Sequence, residues 1–473
     1  MKKVSKVLVL GAALTAMGAT ANAAVIDFNV YGASAQFTFW NAAAPGFLTS
    51  TRGCAATSQL RDSTGKHEIT QGTGCDGGAN TINIRYSSKA SYDGIKAAAA
   101  SAVGDCPGQP GQRLMITTIG NAALSCQPIH VGASDVSGQA FTQNSTGALL
   151  GPMGGAATVR TFNGIPTTGL AAPAQPIVVP FGFFANSAIQ VQKCTGGIHD
   201  GNLCTSATAA VDCAAGSCTA RTLDNVTREM AVNIFGGNAL AWTDFGASYS
   251  VTGDATASVV ACLRHAGSGT QATIDKVLFT GAFPNSLASV ENLAGPFIYF
   301  NDGSADEINC VNGDTTAATF TCNAVQAGTP CTVATQAADC AGAVPAGVCK
   351  SYNNGKAWGA IGYADADQST GVAGVSNNVV PVKYNGMFGR RNAIRNGAYD
   401  FFANQNLYLS PSNAPAASAP ATLFTQLVTY SSNPANIPAA KAAYWATASE
   451  MVWNKTNDLV YPGYVGAALP QTP

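Results

Sequence analysis

The chain has 473 residues, with 24 Lys and Arg against 25 Asp and Glu, a formal net charge of -1. Charged residues are only 10% and hydrophobic residues 47%, which excludes a disordered chain and leaves no basic excess for general nucleic-acid binding. At about 150 residues per domain the length suggests roughly two or three domains, and 51 Gly with 22 Pro argue against a helical bundle.

The first residues read as an address. Lys2, Lys3 and Lys6 precede the apolar run Val7 to Met17, and Ala21-Asn22-Ala23 spells a cleavage site. This pattern predicts a signal peptide over 1–23, with the mature chain starting near Ala24. Cys54 is the first cysteine, so no lipid attachment is indicated at the cleavage point, and no later run of eighteen apolar residues predicts a membrane span. Val25–Tyr31 alternates and meets Gly32-Ala33-Ser34, which predicts a strand and a turn. Further strands are expected at Thr81–Tyr86, Leu114–Ile119, Ile129–Gly132, Ala257–Leu263, Ala360–Ala364 and Leu407–Leu409. Pro176–Phe184 is continuously apolar, as a strand buried on both faces would be. Helices are expected at Asp93–Val103, Met230–Phe235 and Thr270–Phe279, and a loop at Ser410–Pro420. Alternating strands and helices predict an α/β fold with mostly parallel sheets.

Fourteen cysteines agree with export to an oxidising compartment. Two segments share the spelling C…C-T-x-x-x-x-A-x-D-C…G-x-C, one holding Cys194, Cys204, Cys213 and Cys218, the other Cys322, Cys331, Cys340 and Cys349. Each has too little apolar content to fold without staples, so two disulfide-closed insertions are predicted, over 194–218 and 310–349. Four cysteines allow three connectivities, all left open by the sequence. A metal site from Cys194, Cys204 and His199 would have a spacing that matches no common zinc pattern. His67, His130 and His265 are scattered, with no nucleophile and acid spaced for a catalytic triad. Asn144-Ser145-Thr146 spells a glycosylation sequon, and 301–306 resembles part of a calcium loop without its full ligand ladder.

The segment that carries chemistry runs from Val259 to Asp275. A strand ends at Arg264, and Gly267-Ser268-Gly269-Thr270 opens a helix. Free N–H groups at a helix start favour an anion, glycines allow close backbone approach, and an arginine fork matches two oxygens of a tetrahedral oxyanion. Gly267-x-Gly269-x-x-Ala272 also fits a dinucleotide fingerprint, but no ribose-binding acid stands at the right place. A nucleophile elbow at Ser268 needs G-x-S-x-G, but Ala266 and Thr270 occupy the glycine places. The plain alternative is a helix cap by Ser268 or Thr270.

Arg264-His265-Ala266-Gly267-Ser268-Gly269-Thr270 resembles the Arg-x-x-Gly-Ser-Gly-Thr motif of the periplasmic phosphate-binding proteins of ABC importers, the PstS-like proteins. Gly32 to Phe37, Ala133-Ser134-Asp135, Asn233 to Asp244, Ile361-Gly362-Tyr363 and Asn457 to Pro462 are similar to other segments of that family, in the same order. The resemblance implies a two-lobed periplasmic-binding-protein fold with two hinge crossings, near Pro176–Ala185 and Asn396–Leu409, interrupted by the two Cys-rich insertions. It implies a first lobe from 24–180 and 401–473 and a second from 181–400. It also implies a non-enzymatic, monomeric protein of the periplasm, or a secreted one, without cofactor or metal, that captures inorganic phosphate for an ABC transporter permease. The implied ligand residues are Gln36, Phe37, Ser87, Ser88 and Asp135 from the first lobe, and Arg264, Ser268, Gly269 and Thr270 from the second.

Asp135 has a physical meaning of its own. A carboxylate accepts a hydrogen bond from hydrogen phosphate, whereas sulfate has no proton to give and would leave two acceptors face to face. Two departures stand out: Gln36 replaces a threonine, and Ala266 replaces an aspartate that pairs with the arginine in the family. The alternative reading is an extracellular or surface structural protein on the same scaffold, with the Cys-rich loops as its contact surface.

Overall fold

The computed structural model describes residues 24–100, 104–141, 169–265, 267–279, 303–312, 359–370, 378–458 and 461–465, with short pieces at 145–148, 151–152, 159–162, 165, 298–301, 320–322, 330–331 and 349–350. The expected leader, Asn144, Ala266 and Cys340 lie outside these residues.

Strand β1 (Ala24–Ala33) is buried continuously from Phe28 onward, because parallel neighbours flank its C-terminal part. No turn follows it. The chain passes directly into α1 (Ser34–Ser50), a helix the sequence reading missed. Its apolar residues lie all round rather than in a stripe, since it is buried between sheet and neighbouring helix. Pro45 sits inside it and cannot donate to the carbonyl four residues back. The Gln59 amide does so instead, at 2.8 Å from the Asn41 oxygen.

The first sheet adds β2 (Ala56–Arg61), β3 (His67–Gly74) and β4 (Asn80–Lys89). Helix α2 (Ser91–Ala98) follows, shorter than its Ala-rich run suggests and starting earlier. Strands β5 (Gln112–Thr118) and β6 (Asn121–Pro128) form a separate hairpin before β7 (Val131–Ser134). The second sheet contains β8 (Ile177–Asn186), every residue of which is buried, as its apolar run predicts. Then come β9 (Ile189–Thr195), β10 (Ser217–Thr222), α3 (Arg228–Phe235), β11 (Tyr249–Val251), β12 (Val260–Arg264), α4 (Gly269–Ile274), β13 (Ile298–Asn301), α5 (Ser304–Asn312), β14 (Ala360–Asp365) and β15 (Val379–Tyr384). Next come β16 (Phe402–Asn404), β17 (Asn406–Leu409) and α6 (Ala419–Ser431), followed by short strands at Ala446–Thr447, Trp453–Asn454 and Gly463–Tyr464. The Pro/Ala-rich stretch is a loop only up to Ser418, whose side chain caps α6.

The first sheet runs in the order β2-β3-β4-β1-β7-β17, and the second has β15-β8-β14-β12-β13 at its centre. The fold is therefore mixed α/β. The expectation of mostly parallel sheets needs correction. Only β1 with β4 and β7, and β12 with β13 and β14, pair in parallel among these long strands. Strands β3, β17 and β8 return antiparallel to their neighbours. Strand order depends on where each connection re-enters the sheet, which local pattern does not encode. The long strand β8 also pairs with β16 at Val178–Pro180, and β16 leads through Gln405 into β17 of the first sheet. Residues 402–409 thus touch both sheets.

Disulfides join Cys54–Cys75, Cys106–Cys126, Cys194–Cys213, Cys204–Cys218 and Cys262–Cys310. The first insertion adopts the alternating connectivity, so Cys194, Cys204 and Cys213 are bonded rather than free to hold a metal, and the His199 ring bonds the Asp212 carbonyl. Cys310 is placed differently from expectation. It sits in α5 and ties that helix to β12 through Cys262. Both insertions place their first cysteine opposite their fourth, Cys194 across from Cys218 and Cys322 across from Cys349.

Removing the core bridge in Cys262→Ala/Cys310→Ala is expected to cost about 4 kcal/mol, from chain entropy across its 48-residue separation. Denaturant unfolding under non-reducing conditions measures it. An unchanged midpoint would show that packing alone holds α5 against β12.

Candidate functional site

Besides α6, four described helices begin with a serine at or beside their first turn: Ser34 on α1, Ser91 on α2, Ser268 before α4 and Ser304 on α5. These starts converge where the two sheets face each other. Helix α2 reaches β1 and β7 because Gly94 and Gly132 carry no side chain. A Cβ on Gly94 would lie 2.3 Å from the Ala133 oxygen, and one on Gly132 would lie 2.2 Å from the Gly94 oxygen. That close approach puts the Ser91 hydroxyl 3.2 Å from Asp135 Oδ2, to which it donates, and the Asp135 amide donates back to Ser91 at 3.0 Å.

Arg264 ends β12 and is buried. Its Nη1 donates to Ser304 at 3.2 Å, and its Nη2 donates to Ser34 at 3.2 Å. The two hydroxyl oxygens are 3.5 Å apart. One prong of the fork is thus held by each sheet's helices. The arginine backbone amide donates to the Tyr363 hydroxyl at 3.3 Å, and that hydroxyl donates to Gln271. Ser268 caps α4, accepting from the Gln271 amide, so the plain capping role is realised. Helix α4 continues through a π-helical turn at Asp275–Phe279. The Thr270 hydroxyl is buried with no partner among the described residues. Gly269 lies against Asp135, where a Cβ would sit 2.7 Å from the Asp135 Cβ and 2.4 Å from the Ser91 hydroxyl. The sheets are tied here by the Tyr92 amide, which donates to the Gly267 carbonyl at 3.0 Å.

Gln36 is fully buried. Its Nε2 donates to Asp135 Oδ1 at 3.3 Å, while its Oε1 accepts from Trp40 at 3.1 Å. Burial pushes the Asp135 carboxyl up to about 6, against the pull of the Gln36 bond, the Arg264 charge and Ser91. Phe37 lies in the first turn of α1, with its ring edge-on to Tyr86 and beneath the Arg61 guanidinium.

The structure therefore gathers Gln36, Asp135, Arg264, Ser268, Gly269 and Thr270 in one buried cluster, with Phe37 beside it. Ser87 is not brought there. It donates to the Leu114 carbonyl and meets the His67 ring, and both Ser87 and Ser88 lie within β4, paired along β1. Ser91 touches Asp135 in its place. The strand runs on to Lys89, so the serine at the helix start is four residues further along than the expected Ser87.

Sequence reasoning also missed Ser34, Ser304 and Glu307. Ser304-Ala305-Asp306-Glu307 has the spelling of a helix start, which was the available signal. Glu307 is buried, and its Oε1 accepts from the Tyr363 amide at 3.0 Å. Burial pushes its carboxyl up while the Arg264 charge pulls it down. A buried arginine needs a compensating acid, and α5 supplies one from a part of the chain far from position 266. Chemically, the cluster offers a cationic fork, hydroxyl donors and a helix start on one side, and a carboxylate acceptor on the other.

No family model matches the chain, and no curated protein matches it. Solved structures do. One from Clostridium perfringens, described as a phosphate ABC transporter substrate-binding protein with bound phosphate, shares 11% identity, with 85% of this chain and 92% of that one covered and a TM-score of 0.41. The phosphate binding protein from Stenotrophomonas maltophilia shares 10%, over 86% and 84%, with a TM-score of 0.38. PstS from Borrelia burgdorferi shares 9%, over 88% and 97%, with a TM-score of 0.32. No helix of the described residues is long and apolar enough to cross a membrane.

Proposed function

We propose that this protein captures inorganic phosphate, or a similar protonated tetrahedral oxyanion, between two lobes built on its two sheets, and delivers it to an ABC importer after export. The observation that carries this reading is the opposition of Arg264 and Asp135 across the sheets, both buried, with serine-led helix starts around them. A cationic fork favours an oxyanion, and a facing carboxylate favours one that still carries a proton. In this reading Ser91 replaces Ser87 as a ligand residue, the lobes meet at β8 and at residues 402–409, and closure follows a hinge there. The protein acts by binding, without cofactor or metal.

Calorimetric titration of phosphate-stripped mature protein tests this. Phosphate is expected to bind with exothermic heat, and sulfate at neutral pH is not. Well-folded protein that gives no heat with phosphate would overturn the reading.

A second reading is favoured by one observation. The disulfide-closed first insertion exposes Ile198, Leu203 and Val211, with Ile198 at 85%. Three large apolar side chains on one small stapled segment suit a contact surface. Absence of phosphate binding, together with self-association lost in an Ile198→Ser/Val211→Ser variant, would make that surface the function.

A further inference from the structure

Buried polar groups in folded proteins are nearly all hydrogen-bonded, so one with no partner calls for an explanation. Gln405 is fully buried, yet both its Nε2 and its Oε1 have no partner among the described residues. Its neighbours are at least partly bonded, although Asn404 Oδ1 also has no partner among the described residues. The Asn404 amide nitrogen donates to the Lys455 carbonyl, and Asn406 accepts from Gln175 and donates to the Asn404 carbonyl.

The position of Gln405 is informative. It lies between β16 and β17, in the segment that passes from one sheet to the other, and its own amide donates to the Ile177 carbonyl of β8 at 3.0 Å. Strand β17 pairs antiparallel with β7, Leu407 opposite Ala133 and Asn406 opposite Ser134. One more step of that register sets Gln405 opposite Asp135. Side chains alternate along a strand, and directly opposed residues share a face. Asn406 and Tyr408 face a cavity of about 230 Å³ that is also lined by Ser137, Gln175 and Asp458. Gln405 therefore points the other way, to the same side as Leu407, which belongs to the apolar core that also contains Ala133 and Phe37 of α1. Gln36 and Asp135 meet on that face.

We infer that Gln405 is a further ligand-contact residue of the candidate oxyanion site, set in the floor of the cleft where the two sheets join. This inference rests on the proposed function. The amide offers what a protonated oxyanion uses: Nε2 donates to an unprotonated oxygen, and Oε1 accepts from a P–OH group. Hydrogen phosphate presents both kinds of oxygen, and dihydrogen phosphate presents a second P–OH beyond the one that Asp135 reads. In the unliganded protein the same amide is a standing cost to stability.

The test is Gln405→Leu, with Gln405→Met as a second variant of similar volume should the branched side chain not fit. Each is titrated with inorganic phosphate by calorimetry and melted without ligand. Phosphate affinity is expected to fall about tenfold or more, while the melting temperature of the ligand-free protein rises by about 2 °C or more, because a buried orphan amide is removed. A purely structural amide predicts the opposite melting shift. Wild-type phosphate affinity in a folded variant would overturn the role of Gln405 and leave the proposed function standing. No phosphate binding by the wild-type chain would overturn both.

Discussion

Arg264→Ala is expected to abolish phosphate binding at any practical concentration, a loss of at least about a hundredfold, or about 3 kcal/mol. The expectation follows from how the guanidinium is held. It is buried, and its two terminal nitrogens donate to Ser304 and Ser34 on helices of opposite sheets. Those hydroxyls stand where two oxygens of a fork-bound anion would receive the same N–H groups. Removing the arginine removes the charge, both directed donors and a bridge between the sheets together. Arg264→Lys separates these contributions. A lysine keeps the charge as a compact point but cannot reach two acceptors in a fixed fork, so it should recover only part of the affinity. Calorimetry on both variants, with circular dichroism to show that they fold, measures the effect. Near wild-type affinity in a folded Arg264→Ala protein would place the anion elsewhere.

The second large effect concerns selectivity and pH. Sulfate is expected to be excluded at pH 8 and to begin binding as pH falls below about 6, because burial raises the Asp135 carboxyl to about 6. Above that value Asp135 is an anion that can only accept, which suits hydrogen phosphate and repels the unprotonated oxygens of sulfate. Below it the carboxyl carries its own proton and can donate to a sulfate oxygen. Asp135→Asn should bind sulfate with no such pH dependence, since an amide donates at every pH, and should bind phosphate about tenfold more weakly.

Stability follows the same group. Its carboxyl is higher in the folded protein than the ordinary 3.8, so its contribution to the ligand-free fold is fully present below that value and is lost as pH rises through about 6. The groups facing it are Gln36 and Ser91, with the charges of Arg264 and Asp458 nearby. Titrations of both anions between pH 5 and 8 decide the matter. Sulfate exclusion that is equal at both ends would show that Asp135 does not read the ligand's proton.

Much of the site could be read from the sequence because its chemistry is local. Arg264 and the Gly267 to Thr270 turn are contiguous, and a strand running into a helix start needs no tertiary information. Asp135 was reached only through the resemblance of Ala133-Ser134-Asp135 to a segment of the phosphate-binding family, and its chemical meaning beside an oxyanion followed from that. The serine expected after β4 was misplaced because the choice between Ser87 and Ser91 depends on where a strand stops pairing, and β1 pairs with β4 as far as Lys89. Glu307 was missed because the acid that balances Arg264 comes from another helix, brought in by β13 and by the Cys262–Cys310 bridge. Helix α1 was missed because it is buried on most of its surface and shows no apolar stripe.

By itself the sequence determined the α/β class, the doubly buried strand expected at Pro176–Phe184, the cationic turn and the first stapled insertion. These are written in local composition, in periodicity and in the spacing of cysteines. The tertiary structure alone decided which serine meets Asp135, which cysteine partners Cys262, how far the sheets depart from parallel pairing, and that the Gln405 amide is buried without a partner among the described residues. Each of those depends on which distant segment is packed against which. That is set by the burial of whole strands and helices, not by the residues on either side.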